Sequence, residues 1–138
     1  MTTKREKVYY DWLQSLSQAG WNADKTDSIK FNSGSETHLH MHAKLATAAL
    51  LKANGYRIDT EVAHPERGEV DVVAIPTQDD QKPFAVELEH SPTQEVVEDK
   101  LSRYFEGTPF TEVFVINLNR APMEIVELKE HIRSELGL

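Results

Sequence analysis

Carboxylates in two neighbouring apolar segments are the residues of this chain best suited to chemistry. Asp71 lies in one β-branched segment, and Glu87 and Glu89 flank Leu88 in the next. Because successive strand residues point to opposite faces of a sheet, Glu87 and Glu89 should share a face. Carboxylates this close raise the cost of ionising one another, and a divalent cation held by oxygen ligands relieves that cost. If the two segments pair as strands, three or four carboxylates converge, and the pattern predicts a divalent-cation site around Asp71, Glu87 and Glu89.

The same alternation predicts that Glu69 and Asp71 project together, away from Val70 and Val72. Acidic residues are also common on the solvent face of an antiparallel strand. The acidic face therefore has a second interpretation, in which a generic α/β domain uses it to meet a basic protein.

Apolar periodicity predicts the elements that must position these carboxylates. Strands are expected at 56–62, 69–75, 83–89 and 112–118, and helices at 4–18, 36–54, 94–105 and 121–136. The nearly continuous apolar run at 112–118 is typical of a central strand covered on both faces. The order helix, three strands, helix, strand, helix after the first helix indicates an α/β fold with a mixed sheet. We expect a main domain at 35–138, preceded by an N-terminal helical extension at 1–34.

The composition restricts the class of protein. With 138 residues, the chain is long enough for one domain with a buried core. It contains no cysteine, which excludes disulfides and cysteine-based zinc sites. It also has no apolar run approaching the ~20 residues of a membrane span and no apolar signal-peptide core, so we expect a cytoplasmic protein. A net charge of −8 argues against binding nucleic acid through electrostatics alone, but leaves room for a local basic patch and a metal ion.

Two motifs accompany this order of elements: Val70-Asp71-Val72-Val73-Ala74 at the second strand and Phe84-Ala85-Val86-Glu87-Leu88-Glu89 at the third. Together they resemble the PD-(D/E)xK nuclease superfamily, whose restriction-endonuclease-like fold includes archaeal Holliday-junction resolvases. The match covers about Glu36 to Leu118. The resemblance implies an αβββαβ core, a mixed central sheet flanked by helices, and Mg²⁺ or Mn²⁺ bound by Asp71 and Glu87. It further implies an endonuclease that hydrolyses DNA phosphodiester bonds, with DNA and a second copy of the chain as partners.

The family's lysine position is occupied here by Glu89, so another basic residue must take its role. Lys44 lies four residues after His40, and the two share a face of the predicted first core helix. We expect Lys44 to stabilise the charge that develops on the phosphate, and His40 to contact the phosphate or position a water. Lys100, on the following helix, is the second candidate. The departure at Glu89 and the net acidity favour an alternative, a catalytically inactive nuclease-like module that binds DNA or protein.

Overall fold

A computed structural model describes residues 2–25, 27–31, 36–119 and 121–138. All eight predicted elements are confirmed, with shifted ends for most of them. In chain order they are α1 (Lys4–Gln18), α2 (His38–Ala53), β1 (Arg57–His64), β2 (Gly68–Ile75), β3 (Phe84–Glu89), α3 (Gln94–Phe105), β4 (Glu112–Asn117) and α4 (Ile125–Leu136).

Side-chain caps explain where several helices begin. The hydroxyl of Thr37 accepts a hydrogen bond from His40 N at 3.1 Å, so α2 begins directly after Thr37. The carboxylate of Glu124 caps α4 by accepting from the amides of Val126 and Glu127. That cap sets the start of α4 at Ile125 rather than at the predicted residue 121.

The four strands form one mixed sheet in the order β1-β2-β3-β4. The first three strands pair antiparallel, and β4 runs parallel to β3. An α/β fold with a mixed sheet is thus confirmed, but the prediction that 112–118 is the central strand is wrong, because β4 lies at an edge. Its apolar residues are explained by the helices that cover its two faces: Val113 and Ile116 are buried in different core clusters.

Helices cover both faces of the sheet. The first core cluster packs α2 and α4 on one face through residues such as Leu50, Leu51 and Leu128. The second packs α1 and α3 on the other face through residues such as Leu16 and Tyr104. Helix α1 therefore contributes to the core of the sheet. None of the described helices is both long and apolar enough to cross a membrane.

The segment between α1 and α2 runs along the outer edge of β1. Asn22 N donates to Ala63 O at 2.8 Å, Ile58 N donates to Asp27 Oδ1 at 2.9 Å, and Lys30 Nζ donates to Thr60 O at 3.3 Å. Residues 22–30, as far as they are described, thus cover the backbone of the first strand. We call this part of the chain the edge segment.

Candidate functional site

The candidate site lies where β2 and β3 separate. Their pairing ends at Val72 and Val86, and Asp71 and Glu87 are the next residues on the two strands. Beyond the last pair, Leu88 N donates to Asp71 Oδ2 at 2.8 Å. The side-chain oxygen of Asp71 on β2 therefore replaces a backbone carbonyl as the hydrogen-bond partner of Leu88 N on β3. This bond holds the Asp71 side chain between the two strands.

The backbone around Asp71 departs from regular strand alternation. Val70 lies in the cluster beneath α1 and α3, whereas Val72 lies in the cluster beneath α2 and α4. The prediction that both valines point away from Asp71 on the same face is therefore wrong. Glu61, which lies across from Asp71 on β1, has a φ of 52°, an uncommon conformation for a residue with a side chain. Strand alternation alone cannot reveal this local distortion.

Asp71 and Glu87 form a carboxyl pair. The Glu87 side chain is only 2% exposed, and burial together with the neighbouring Asp71 raises its pKa well above the usual value. Burial opposes the ionisation of Asp71, but hydrogen bonds from His40, Glu87 and Leu88 N lower its pKa to about 2. The two carboxyl groups thus act on each other in opposite senses, because their contact raises the pKa of Glu87 and lowers that of Asp71.

Lys100 from α3 lies against the acidic face of β3. Its Nζ is 3.2 Å from Glu87 Oε1 and 3.1 Å from Glu89 Oε1. Both carboxylates therefore lie on one face, as the strand alternation predicts. Burial lowers the pKa of Lys100, but Glu87 and Glu89 together raise it above its ordinary value. Lys100 is a permanent positive charge beside two motif carboxylates.

His40 from α2 approaches Asp71 from the opposite face. Its Nε2 lies 3.4 Å from Asp71 Oδ2, and its Nδ1 contacts Glu36 Oε2. The hydrogen bond with Asp71 raises the pKa of His40 to about 9, against the lowering effect of burial. The imidazolium is therefore held between two carboxylates, Glu36 just before its own helix and Asp71 at the site.

Lys44 is brought to a different place from the Asp71–Glu87 pair. Its side chain is fully buried, and its Nζ lies 2.7 Å from Glu36 Oε2 and 2.7 Å from Lys30 O, while also contacting Glu61. The positive charge of Lys44 is therefore paired with Glu36 and Glu61 in the interior of the fold. Sequence reasoning missed Glu36 and Glu61. The four-residue spacing of Glu36, His40 and Lys44 could have indicated the first of them.

These side chains surround a cavity of about 310 Å³. Five carboxylates reach its wall, opposed by the basic or imidazole groups of Lys100, His40 and His90. The complete lining is Glu36, Thr37, Leu39, His40, Glu69, Asp71, Glu87, Leu88, Glu89, His90, Lys100 and Leu118.

Comparison of the chain with protein-family models, curated proteins and solved structures gave no match. Function must therefore be inferred from the residues themselves.

The donor chemistry of the site fits a hard divalent cation. Asp71, Glu87 and Glu89 supply carboxylate oxygens, which Mg²⁺ and Mn²⁺ prefer. Within the described part of the chain, no three His, Asp or Glu side chains already form a metal-binding group. Burial and the neighbouring Asp71 raise the pKa of Glu87, and Lys100 forms a salt bridge with it, so a cation at this carboxylate competes with protons and with the Lys100 ammonium.

Proposed function

We propose that the protein is a Mg²⁺- or Mn²⁺-dependent endonuclease that hydrolyses DNA, with a restriction-endonuclease-like core of the PD-(D/E)xK type. The order αβββαβ, with β4 parallel to β3, supports that core. The single observation that carries the proposal is the carboxyl pair of Asp71 and Glu87 at the fork of β2 and β3, with the Lys100 ammonium against Glu87. A homodimer in which each subunit cuts one strand is part of the same proposal.

Asp71, Glu87 and Glu89 would hold the cation. When bound, it supplies a water of lowered pKa and offsets negative charge on the phosphate. Without a cation, the carboxylates of the cavity outnumber its positive groups and repel a phosphate. The acidic wall thus explains why this function requires a metal.

Lys100 takes the role of the motif lysine in this proposal. Its ammonium lies on the face shared by Glu87 and Glu89, where the family motif supplies a lysine from the strand. From there it can stabilise charge on the phosphate or orient the attacking water. The geometry favours Lys100 over Lys44, because the Lys44 charge is enclosed between Glu36 and Glu61.

His40 positions Asp71 in the proposed mechanism. The imidazolium and Leu88 N both hold the Oδ2 atom of Asp71, at 3.4 Å and 2.8 Å. Glu36 in turn orients the imidazole through Nδ1. An Asp71 carboxylate held in this way loses little conformational freedom when it binds a cation.

One observation favours an inactive nuclease-like module as the second candidate. Lys100 already neutralises much of the charge of Glu87 and Glu89 without a metal. Such a site could serve DNA or protein binding without hydrolysis.

Cleavage assays separate the two functions. Supercoiled plasmid, duplex, single-stranded and branched DNA are incubated with Mg²⁺ or Mn²⁺ beside the Asp71→Asn protein. Metal-dependent nicking by the wild type, lost in Asp71→Asn, supports the nuclease. Retention on DNA in a Ca²⁺ buffer, without nicking in Mg²⁺ or Mn²⁺, supports the DNA-binding module.

A further inference from the structure

A second cavity, also of about 310 Å³, lies at the opposite end of the sheet. It opens where β1 begins at Arg57 and beyond the end of β2, whereas Asp71 lies near the start of β2. The six residues from Asp71 to Thr77 correspond to about 20 Å of extended chain. The cavity is lined by Thr3, Arg5, Glu6, Lys52, Gly55, Tyr56, Arg57 and Thr77.

Three basic side chains line this cavity in a protein whose net charge is −8. Arg5, Lys52 and Arg57 line it, and Glu6 is its one acidic lining residue. Lys52 is paired with Asp27 at 2.7 Å, and Asp80 helps to raise the pKa of the lining residue Tyr56. The guanidinium groups of Arg5 and Arg57 form no salt bridge in the described part of the chain, whereas Lys100 and His40 in the Asp71 cavity are already paired with carboxylates.

The polar groups around the cations are largely satisfied within the protein. Thr3 Oγ1 accepts from Glu6 N at 3.1 Å, so the N-terminal end of α1 is capped by a side chain of the protein. Thr77 Oγ1 donates to Gly55 O. The Arg57 guanidinium lies 4.6 Å from the centre of the Tyr9 ring, where it stacks as arginine side chains do on aromatic faces. A ligand in this cavity would therefore be bound by the basic side chains.

We infer that this cavity binds a phosphate-bearing ligand through Arg5, Lys52 and Arg57. Each planar guanidinium group can donate two parallel hydrogen bonds to two oxygens of a phosphate. The Lys52 ammonium is half exposed and can turn from Asp27 to the anion. The volume is at the lower end of the range for small-molecule sites. The Tyr56 ring, which packs edge-on against Phe84 at 5.3 Å, offers an aromatic wall beside the phosphate. The phosphate can belong to a free nucleotide or to a nucleic-acid backbone.

Calorimetry at low salt and without divalent ions tests this site independently of any nuclease activity. The probes are pyrophosphate, adenosine monophosphate and a short oligothymidine without a terminal phosphate. We expect Arg5→Gln/Lys52→Gln to weaken binding at least about tenfold. The matched control is Lys25→Gln/Lys129→Gln, which removes the same charge from the edge segment and from α4, and should change affinity by less than about twofold.

The outcomes divide clearly. Tighter binding of the two small probes identifies a free phosphate ligand, and tighter binding of the oligonucleotide identifies a backbone phosphate. Failure of the wild type to bind any probe at low millimolar concentration overturns the inference, as does equal weakening in the control. Circular dichroism checks the fold. If the double variant is unfolded, the exposed Arg5→Gln substitution alone replaces it, with Lys25→Gln as its control.

Discussion

The Nζ of Lys100 lies 3.2 Å from Oε1 of Glu87, thirteen residues earlier in the chain. The contact joins α3 to β3. It brings a permanent cation to the one motif carboxylate whose pKa is strongly raised by burial and by Asp71. Lys100 therefore brings a lysine to the site although position 89 is a glutamate.

Replacing Lys100 by Met should reduce DNA cleavage by about a hundredfold or more, because it removes the positive charge nearest the carboxyl pair. Cleavage rates at saturating Mn²⁺ measure the effect. The matched control is Lys82→Met, an exposed lysine before β3. A Lys100→Met protein as active as the control would contradict this role.

Replacing Asp71 by Asn should weaken Mn²⁺ binding by at least about tenfold, since a neutral amide is a poorer ligand for a hard cation. The amide oxygen can still accept from Leu88 N, so the fold should persist. Titration calorimetry provides the affinity, and the melting temperature provides the control. Equal affinity in the two proteins would remove Asp71 from the metal site.

Replacing Lys44 by Met should destabilise the protein by about 3 kcal/mol, because two buried carboxylates lose their shared cation. Glu36 and Glu61 would then face each other without it. The free energy of unfolding in urea measures the cost. Cleavage per folded molecule should fall less than in Lys100→Met.

The control for this substitution is the double variant Lys44→Met/Glu61→Gln. Burial raises the pKa of Glu61 to about 7, so a neutral residue there is tolerated and should restore part of the stability. A loss below about 1 kcal/mol in Lys44→Met would mean that the buried pairs contribute little.

The contribution of His40 to stability should depend on pH. Its folded pKa of about 9 lies above the unfolded value, so the stabilisation is fully present below about pH 6.5 and is lost as the pH rises through 9. Asp71 and Glu36 supply the attraction, and Asp71 stays ionised over this range. His40→Gln should therefore cost on the order of 2 kcal/mol at about pH 6 and much less at about pH 10. Urea unfolding of both proteins at the two pH values checks the sign. A cost that is independent of pH would indicate a packing effect alone.

Much of the fold could be predicted because periodicity reports which faces of an element are covered. The bounds of α1 and α3 agree with the predictions, and Glu87 and Glu89 share a face as alternation requires. Apolar periodicity does not report whether a strand lies at the centre or at the edge of its sheet. Val113 and Ile116 are both apolar because helices lie above and below β4, and a strand at the edge of a sheet can be covered in that way.

The candidate site was harder to predict, because its charges are paired by contacts between distant parts of the chain. Lys44 and Lys100 both lie on predicted helices, and the sequence does not distinguish them. In the fold, Lys44 pairs with Glu61 on β1, whereas Lys100 pairs with Glu87 on β3. The left-handed backbone at Glu61 that accompanies this difference has no sequence signature of its own, since glutamate rarely adopts it.

The edge segment has a consequence for how copies of this protein can associate. Its hydrogen bonds to Ala63 and Thr60 occupy the outer side of β1, while β4 pairs only with β3 among the described strands. Within the described residues, edge-to-edge joining of two sheets is therefore obstructed at β1 and open at β4. Two chains that pair through β4 use up both of these open edges, so an assembly of this kind closes at two copies.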